Sequence, residues 1–325
     1  MIDRVRFVLL RIMRSLIVVA GILVVNFTLL HMAPGDVAEV LAGESGGGDA
    51  AYLERLRESY GLDRPLPIQF FDYAKGLLSF DLGWSPRNNT TVASLILARL
   101  PATLILAGGA LTGALVLGVL LGVLASRRPN SITDSAISVV SLLAYAVPVF
   151  WLGLMLVVVF SINLGWLPTG GFRSLDRTYT GFAYVLDVAR HALLPVLTLS
   201  LFYTAIYARL MRASMLEVSG LDYVRTARAK GLSESRVLYG HIVRNALLPL
   251  ATMIGIHLGA LLGGAVVVEM VYSWPGLGRL AFEAIMARDL NLLLGILFLS
   301  SLLVVVINIL MDVVYVALDP RIDTK

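Results

Sequence analysis

Long apolar runs dominate the pattern along this chain, separated by short polar segments and one long polar stretch. A helix needs about 20 apolar residues to cross the hydrocarbon core of a bilayer. Runs that reach or approach this length cover about residues 16–30, 102–125, 137–164, 193–210, 248–272 and 292–318. The first run begins as early as Val8 if Arg11 and Arg14 reach back to the headgroups. Pro148 interrupts the third run and is expected to kink it, because proline cannot donate the helical hydrogen bond. Pro195 falls in the expected first turn of the fourth, where that loss is harmless. The pattern predicts an all-α polytopic membrane protein with six transmembrane helices.

Composition agrees. Hydrophobic residues make up 58% of the 325 and charged residues 15%, against roughly half and a quarter in a soluble domain. The mean hydropathy is +0.83. A soluble enzyme is excluded, and so is a disordered chain, which needs low hydrophobicity and high charge. The net charge of +4 fits loop charge bias rather than nucleic-acid binding. With no cysteine there is no disulfide, iron–sulfur cluster or thiolate metal site. The four histidines, His31, His191, His241 and His257, are scattered, so no metal cage is expected.

Orientation follows from lysine and arginine, which favour the cytoplasmic side. With the N-terminus inside, the larger share of the 26 basic residues falls inside. These are Arg4, Arg6, Arg11, Arg14, Arg127, Arg128, the basic residues of the 209–247 loop, Arg321 and Lys325. Both termini are therefore expected to be cytoplasmic. The basic start and apolar core resemble a signal peptide, but His31-Met32-Ala33-Pro34-Gly35-Asp36 is a poor cleavage site, so an uncleaved first span is expected.

The first external loop, 31–100, holds the glycine-rich tract 43–49, a charged helical stretch over 52–60 and an aromatic-rich segment over 68–80. That segment either lies in the membrane interface or packs on the outer side of the spans. Gly43-Glu44-Ser45-Gly46-Gly47 matches a hydrolase nucleophile elbow only in letters, since strand, helix and partner histidine are missing around it. Asn88-Asn89-Thr90-Thr91 holds overlapping glycosylation sequons, which matter only in a eukaryotic secretory pathway. No P-loop occurs, so ATP-driven work would need an ATPase on another chain.

The most informative loop is 213–247. Asp222-Tyr223-Val224-Arg225-Thr226-Ala227-Arg228-Ala229-Lys230 predicts a short helix, with Asp222 as N-cap and Gly231 as the stop. Ser233 caps a second helix, whose Val237, Leu238, Ile242 and Val243 recur at helical spacing. A short helix exposing Tyr223, Ala227 and Ala229 among arginines suits docking; the plain alternative is a basic surface loop.

Asp222 to Gly231 followed by Arg244-Asn245-Ala246-Leu247-Leu248-Pro249 resembles the cytoplasmic coupling loop of ABC importer permeases, and specifically the dipeptide/oligopeptide/nickel class. Arg225-Thr226 stand where the general importer loop has Glu-Ala, and Pro249 lies farther from Gly231 than usual; the peptide class shares both departures. His31 to Asp36, Tyr60-Gly61-Leu62-Asp63-Arg64-Pro65, Asp81-Leu82-Gly83, Ser273-Trp274-Pro275-Gly276-Leu277-Gly278-Arg279 and Asp319-Pro320-Arg321-Ile322 extend the likeness over nearly the whole chain. The long first loop resembles that of the B-type subunit.

The resemblance implies a type I importer permease fold in a bacterial cytoplasmic (inner) membrane. Its parts would be an N-terminal tail and first span over 1–30, an external loop over 31–100 and a permease core over 101–325. It implies as partners a homologous second permease, two ABC ATPases that bind ATP and Mg, an external binding protein and the lipid membrane, with no nucleic acid and no cofactor on this chain. Asp222, Tyr223, Arg225, Thr226, Ala227, Arg228 and Gly231 would carry coupling to an ATPase. The cargo would be short peptides, with glutathione or nickel as alternatives.

Ionisable and polar groups in the spans are candidates for the path or a gate. These are Glu269 near the outer end of the fifth span and Asn308 and Asp312 in the sixth; simple pairing or hydration is the alternative. The 273–278 turn, with Trp274 and Pro275, is expected either to form an outer gate or touch the binding protein, or to be a rigid loop with Trp274 at the interface. Gly259, Gly263 and Gly264 suit close helix packing. A membrane-embedded hydrolase lacks its constellation here. An ATP-independent channel or transporter is the remaining contrast, which the large docking loop disfavours.

Overall fold

The computed structural model describes residues 2–32, 50–59, 63–176, 178–262 and 265–318, with backbone alone at 2–12, 14, 50–52, 56, 59 and 312–318. Residues 33–36, the tract 43–49, residues 60–62, Gly263, Gly264 and the C-terminal 319–322 motif lie outside the described residues. In chain order the elements are α1 (Ile2–Met32), α2 (Ala50–Ser59), α3 (Leu66–Leu78), β1 (Trp84–Ser85), β2 (Thr90–Thr91), α4 (Val92–Arg127), α5 (Ile132–Ala146) and α6 (Val149–Leu156). A π-helical stretch, Val157–Asn163, continues α6. Then come α7 (Gly181–Ser219), α8 (Asp222–Ala229), α9 (Glu234–Val237), a second π-helical stretch (Leu238–Val243) and α10 (Arg244–Ala246). The chain continues through α11 (Leu248–Leu262), α12 (Val266–Val271), α13 (Leu277–Ala287) and α14 (Leu290–Leu318). Apart from one two-stranded hairpin, the described elements are helical, as the pattern predicts.

Among the described residues five helices are long and apolar enough to cross a membrane, and a sixth span exists if α5 and α6 count as one. Those two helices meet at 100°, much sharper than the kink expected at Pro148. Val147 sits in an extended conformation (φ −71°, ψ 129°), the region to which a following proline drives a residue. Pro148 then opens α6 as its N-cap.

Three expected spans have different limits. The second begins at Val92, not Ala102, and carries Pro101 within the helix. The fourth extends from Gly181 to Ser219, so Pro195 is interior rather than in a first turn. The polar residues of its first turns, which masked the extension, are satisfied locally. Asp187 accepts hydrogen bonds from the Ser174 amide (2.8 Å) and hydroxyl (2.7 Å), and His191 Nδ1 lies 2.8 Å from the Asp187 carbonyl. The fifth is not continuous to residue 272: α11 ends at Leu262 and a separate α12 starts at Val266.

The chain forms two compact units. In the first (1–101 and 277–306), α1, α3, α13 and α14 gather around Leu23, Leu77, Leu280 and Ile296. Within the spans such contacts hold by van der Waals packing, because lipid tails are as apolar as leucine. The hairpin is tied to the start of α14: Ser85 donates to the Asp289 carboxylate, and Asp289 Oδ1 caps α14 by accepting from the Leu292 amide at 3.0 Å. In the second unit (102–276 and 307–325), α7 is central, and α5, α6, α11 and α12 all pack on it.

Candidate functional site

At one end of the second unit, α8 forms as expected but is held differently. Leu221, not Asp222, is its N-cap; Asp222 is the first helical residue, where its charge still complements the helix N-terminus. The Asp222 side chain is almost fully exposed and lies 3.5 Å from Arg225 Nη1. Val224 and Ala227 are buried, so the face expected to expose Ala227 instead anchors the helix, which packs on α9. Tyr223 (42% exposed), Arg225, Thr226, Arg228 and Ala229 remain on the outside. Partial burial of the Tyr223 ring pushes its phenol above its ordinary pKa, so it presents a neutral hydroxyl.

The C-terminal stop is a Schellman motif. The Gly231 amide donates to the Arg228 carbonyl (2.9 Å) and the Leu232 amide to the Ala227 carbonyl (3.4 Å). Gly231 takes φ +77°, a left-handed conformation that a Cβ disfavours, and no other group crowds it. The requirement is conformational, not steric. Arg228 reaches forward to Glu234 (Nε to Oε1, 3.1 Å), linking α8 to α9 across the stop. Ser233 caps α9 in position, although its hydroxyl makes no cap bond. A cavity of about 350 Å³ lies beside this linkage, bordered by Arg127, Met215, Arg228 and Glu234.

The same end carries a pair that the sequence reading missed. Arg212 of α7 grips Asp134 of α5 with two charge-assisted bonds, 2.5 and 2.7 Å. Asp134 also accepts from the Asn130 amide (2.9 Å), while Ser131 Oγ caps α5. Ser131 three residues before Asp134 is a capping signal that was legible in the sequence; its partner on α7 was not.

The opposite end of the second unit is built around the 273–276 turn. Trp274, which only the rigid-loop alternative put at the membrane interface, is fully buried. Its Nε1 donates to the Ala102 carbonyl (2.9 Å), and Phe172 meets its ring edge-on at 5.0 Å. The Trp274 amide donates to the Glu269 carbonyl (2.8 Å). The Glu269 carboxyl is fully buried and lies against Gly276, where a Cβ would overlap it. Tyr272 OH donates to the Gly153 carbonyl (3.0 Å) and lies 2.8 Å from Thr198 Oγ1. Pro275 is partly buried. These contacts bring Glu269, Trp274 and Gly276 together as one locked corner. Asn308 is exposed on α14, and the Asp312 side chain lies outside the described residues.

Residues 114–324 match the family described as binding-protein-dependent transport system inner membrane component, and residues 4–107 match its N-terminal part. The chain belongs to this family. It is 38% identical over 318 residues to the oligopeptide transport system permease protein AppB of Bacillus subtilis (strain 168), covering 98% of this chain and 99% of that one. It is 36% identical over 322 residues to the dipeptide transport system permease protein DppB of Escherichia coli (strain K12), covering 94% and 95%. The fold is similar to that of a solved inward-facing MetNI methionine ABC transporter, with a TM-score of 0.55 and 19% identity over 70% of this chain and 97% of that one. The type I importer permease fold expected from the coupling-loop motif is thus the fold of this membrane component.

Within this transport-system component the α8 end is chemically suited to docking and the 273–276 corner to rigidity. Among the described residues no cluster of His, Asp or Glu could hold a metal ion.

Proposed function

We propose that this chain is one permease subunit of an ATP-driven, binding-protein-dependent importer and that its cargo is short peptides. The observation that carries the coupling role is α8: an eight-residue helix buried along Val224 and Ala227, stopped at Gly231, with Tyr223, Arg225 and Arg228 turned outward. A rigid knob with an exposed aromatic and cations suits a groove on a partner ATPase. The peptide cargo is supported by relatives named for oligopeptide and dipeptide transport that match nearly the whole chain.

In this reading the α8 end and both termini face the bacterial cytoplasm. Two ATPases bind ATP and Mg below α8 and its counterpart on a second permease, with which this chain forms the path. ATP binds one arrangement of the ATPases better than the other, and α8 passes that preference to the spans. Asp222, Thr226 and Gly231 shape the knob, while Tyr223, Arg225 and Arg228 contact the ATPase. An external binding protein delivers cargo near the 273–276 corner, where Glu269, Trp274 and Pro275 keep the outer gate rigid. Asn308 and Asp312 belong to the path.

The test is uptake by proteoliposomes holding the permeases, ATPases and binding protein. Dipeptides, longer peptides, glutathione and nickel are supplied in turn. Peptide accumulation that requires both ATP and binding protein is expected. Accumulation of glutathione or nickel alone overturns the cargo, and uptake without ATP overturns the importer.

A further inference from the structure

Partway along the second unit, polar and charged side chains converge on one face of α5, α7 and α11. Tyr145 of α5 stacks on Phe202 of α7 (5.4 Å between centroids, 19°). Tyr203 of α7 lies 4.8 Å from the His257 ring of α11, and Tyr207 OH is 3.0 Å from His257 Nδ1. The Arg209 guanidinium sits 5.1 Å from the Tyr145 ring centroid. Tyr207 is fully buried at the back, Tyr203 and His257 are half-buried, and Tyr145 and Arg209 are exposed at the front. The cluster has a closed back and an open front.

Its depth decides its meaning. The Asp134–Arg212 pair marks the basic end of these helices. From Asp134 to Tyr145 along α5, and from Arg212 to Tyr203 along α7, the rise is about 13–17 Å at ~1.5 Å per residue. That is near the middle of a hydrocarbon core roughly 30 Å thick. A long cationic side chain facing lipid would snorkel to the nearer interface. Arg209 does the reverse: it folds back along α7 away from the basic end, its Nε donating to the Ala205 carbonyl (3.2 Å), and lies over Tyr145. On α5, Asp134, Ser138, Ser141 and Tyr145 form a stripe at helical spacing. The flanking exposed residues Val139, Val140, Leu142 and Leu143 are plain hydrocarbon. One face of α5 therefore suits acyl chains, while the stripe turns toward α7, where Asp134 and Ser141 are buried and Tyr145 alone opens outward beneath Arg209.

We propose that Tyr145, Tyr203, Arg209 and His257 line the aqueous cargo path, with Arg209 engaging the terminal carboxylate of a short peptide between aromatic faces; this rests on the peptide-importer reading. Guanidinium pairs with carboxylate by two parallel bonds, and Tyr145 already holds the cation beneath it. The half-buried phenol and imidazole offer hydrogen-bonding groups to the peptide backbone.

The chain contains no cysteine, which makes the test direct. Single variants Tyr145→Cys, Tyr203→Cys and, as a lipid-side control, Val140→Cys are placed in the full assembly in lipid nanodiscs. A charged, membrane-impermeant methanethiosulfonate reagent is added, with and without ATP. Because labelling needs hydrated thiolate, the path positions should react about tenfold faster than Val140→Cys in at least one nucleotide state. A transported tripeptide should slow that labelling severalfold, and its C-terminal amide should slow it less. Arg209→Gln should abolish the difference between peptide and amide, and Arg209→Lys should keep it. Labelling of Tyr145→Cys no faster than Val140→Cys in every nucleotide state overturns the proposal. Equal protection by peptide and amide overturns the role of Arg209. Failure of the peptide-importer reading registers separately, as absent peptide uptake by the wild-type assembly.

Discussion

Gly231 and Asp134 illustrate two ways in which one residue can matter at the α8 end. At Gly231 the constraint is the backbone angle alone, since nothing lies within reach of a Cβ. Gly231→Asn should therefore be mild, because asparagine tolerates left-handed geometry, whereas Gly231→Ala should cost about 1–2 kcal/mol locally. Cargo-stimulated ATP hydrolysis by the assembled complex should fall in that order. At Asp134 the constraint is a partner. Asp134→Ala leaves Arg212 without its carboxylate, and thermal unfolding in detergent should show a clear loss of stability, moderated because Arg212 keeps some solvent contact. The double variant Asp134→Ala with Arg212→Met should recover much of it. The glycine was legible in the sequence because a stop after a basic last turn has a local signature. The ion pair was not, because its halves lie on different helices and only folding brings them together.

Elements show the same division between local and distant causes. Pro148 announced a break in its span, yet the bend of 100° depends on how α6 packs against α7 and α12, which no local pattern encodes. The length of α7 was hidden because Asp187 and His191 look like loop residues until Ser174 and the helix's own carbonyls satisfy them. One of the two readings of the 273–278 turn put Trp274 at the interface, but the Ala102 carbonyl accepts its N–H and removes the need for water. The corner it belongs to makes a packing prediction. Gly276→Ala drives a methyl into the Glu269 carboxyl and should lower stability by about 1–3 kcal/mol. Adding Glu269→Ala should restore part of that, as read by thermal unfolding of the two variants side by side.

For the whole molecule, the apolar pattern foretold the helical class, because bilayer thickness sets a length that any sequence must meet; of the six expected spans, five are single helices long enough to cross and the sixth depends on the bent pair α5 and α6. The proposed partners rest on α8, whose core side is spent on Val224 and Ala227 while Tyr223, Arg225 and Arg228 stay exposed. The central claim is that this knob carries the ATPase cycle to the path. Its most direct measurement is ATP hydrolysis by the complete assembly in proteoliposomes, with and without cargo-loaded binding protein, for the wild type and Gly231→Pro. Proline removes the Gly231 amide donor and forbids φ +77°, so it breaks the end of α8 and leaves the spans untouched. Hydrolysis in the wild type should rise severalfold with loaded binding protein, while Gly231→Pro should keep its ATPases but lose the rise. An undiminished rise in Gly231→Pro contradicts the claim.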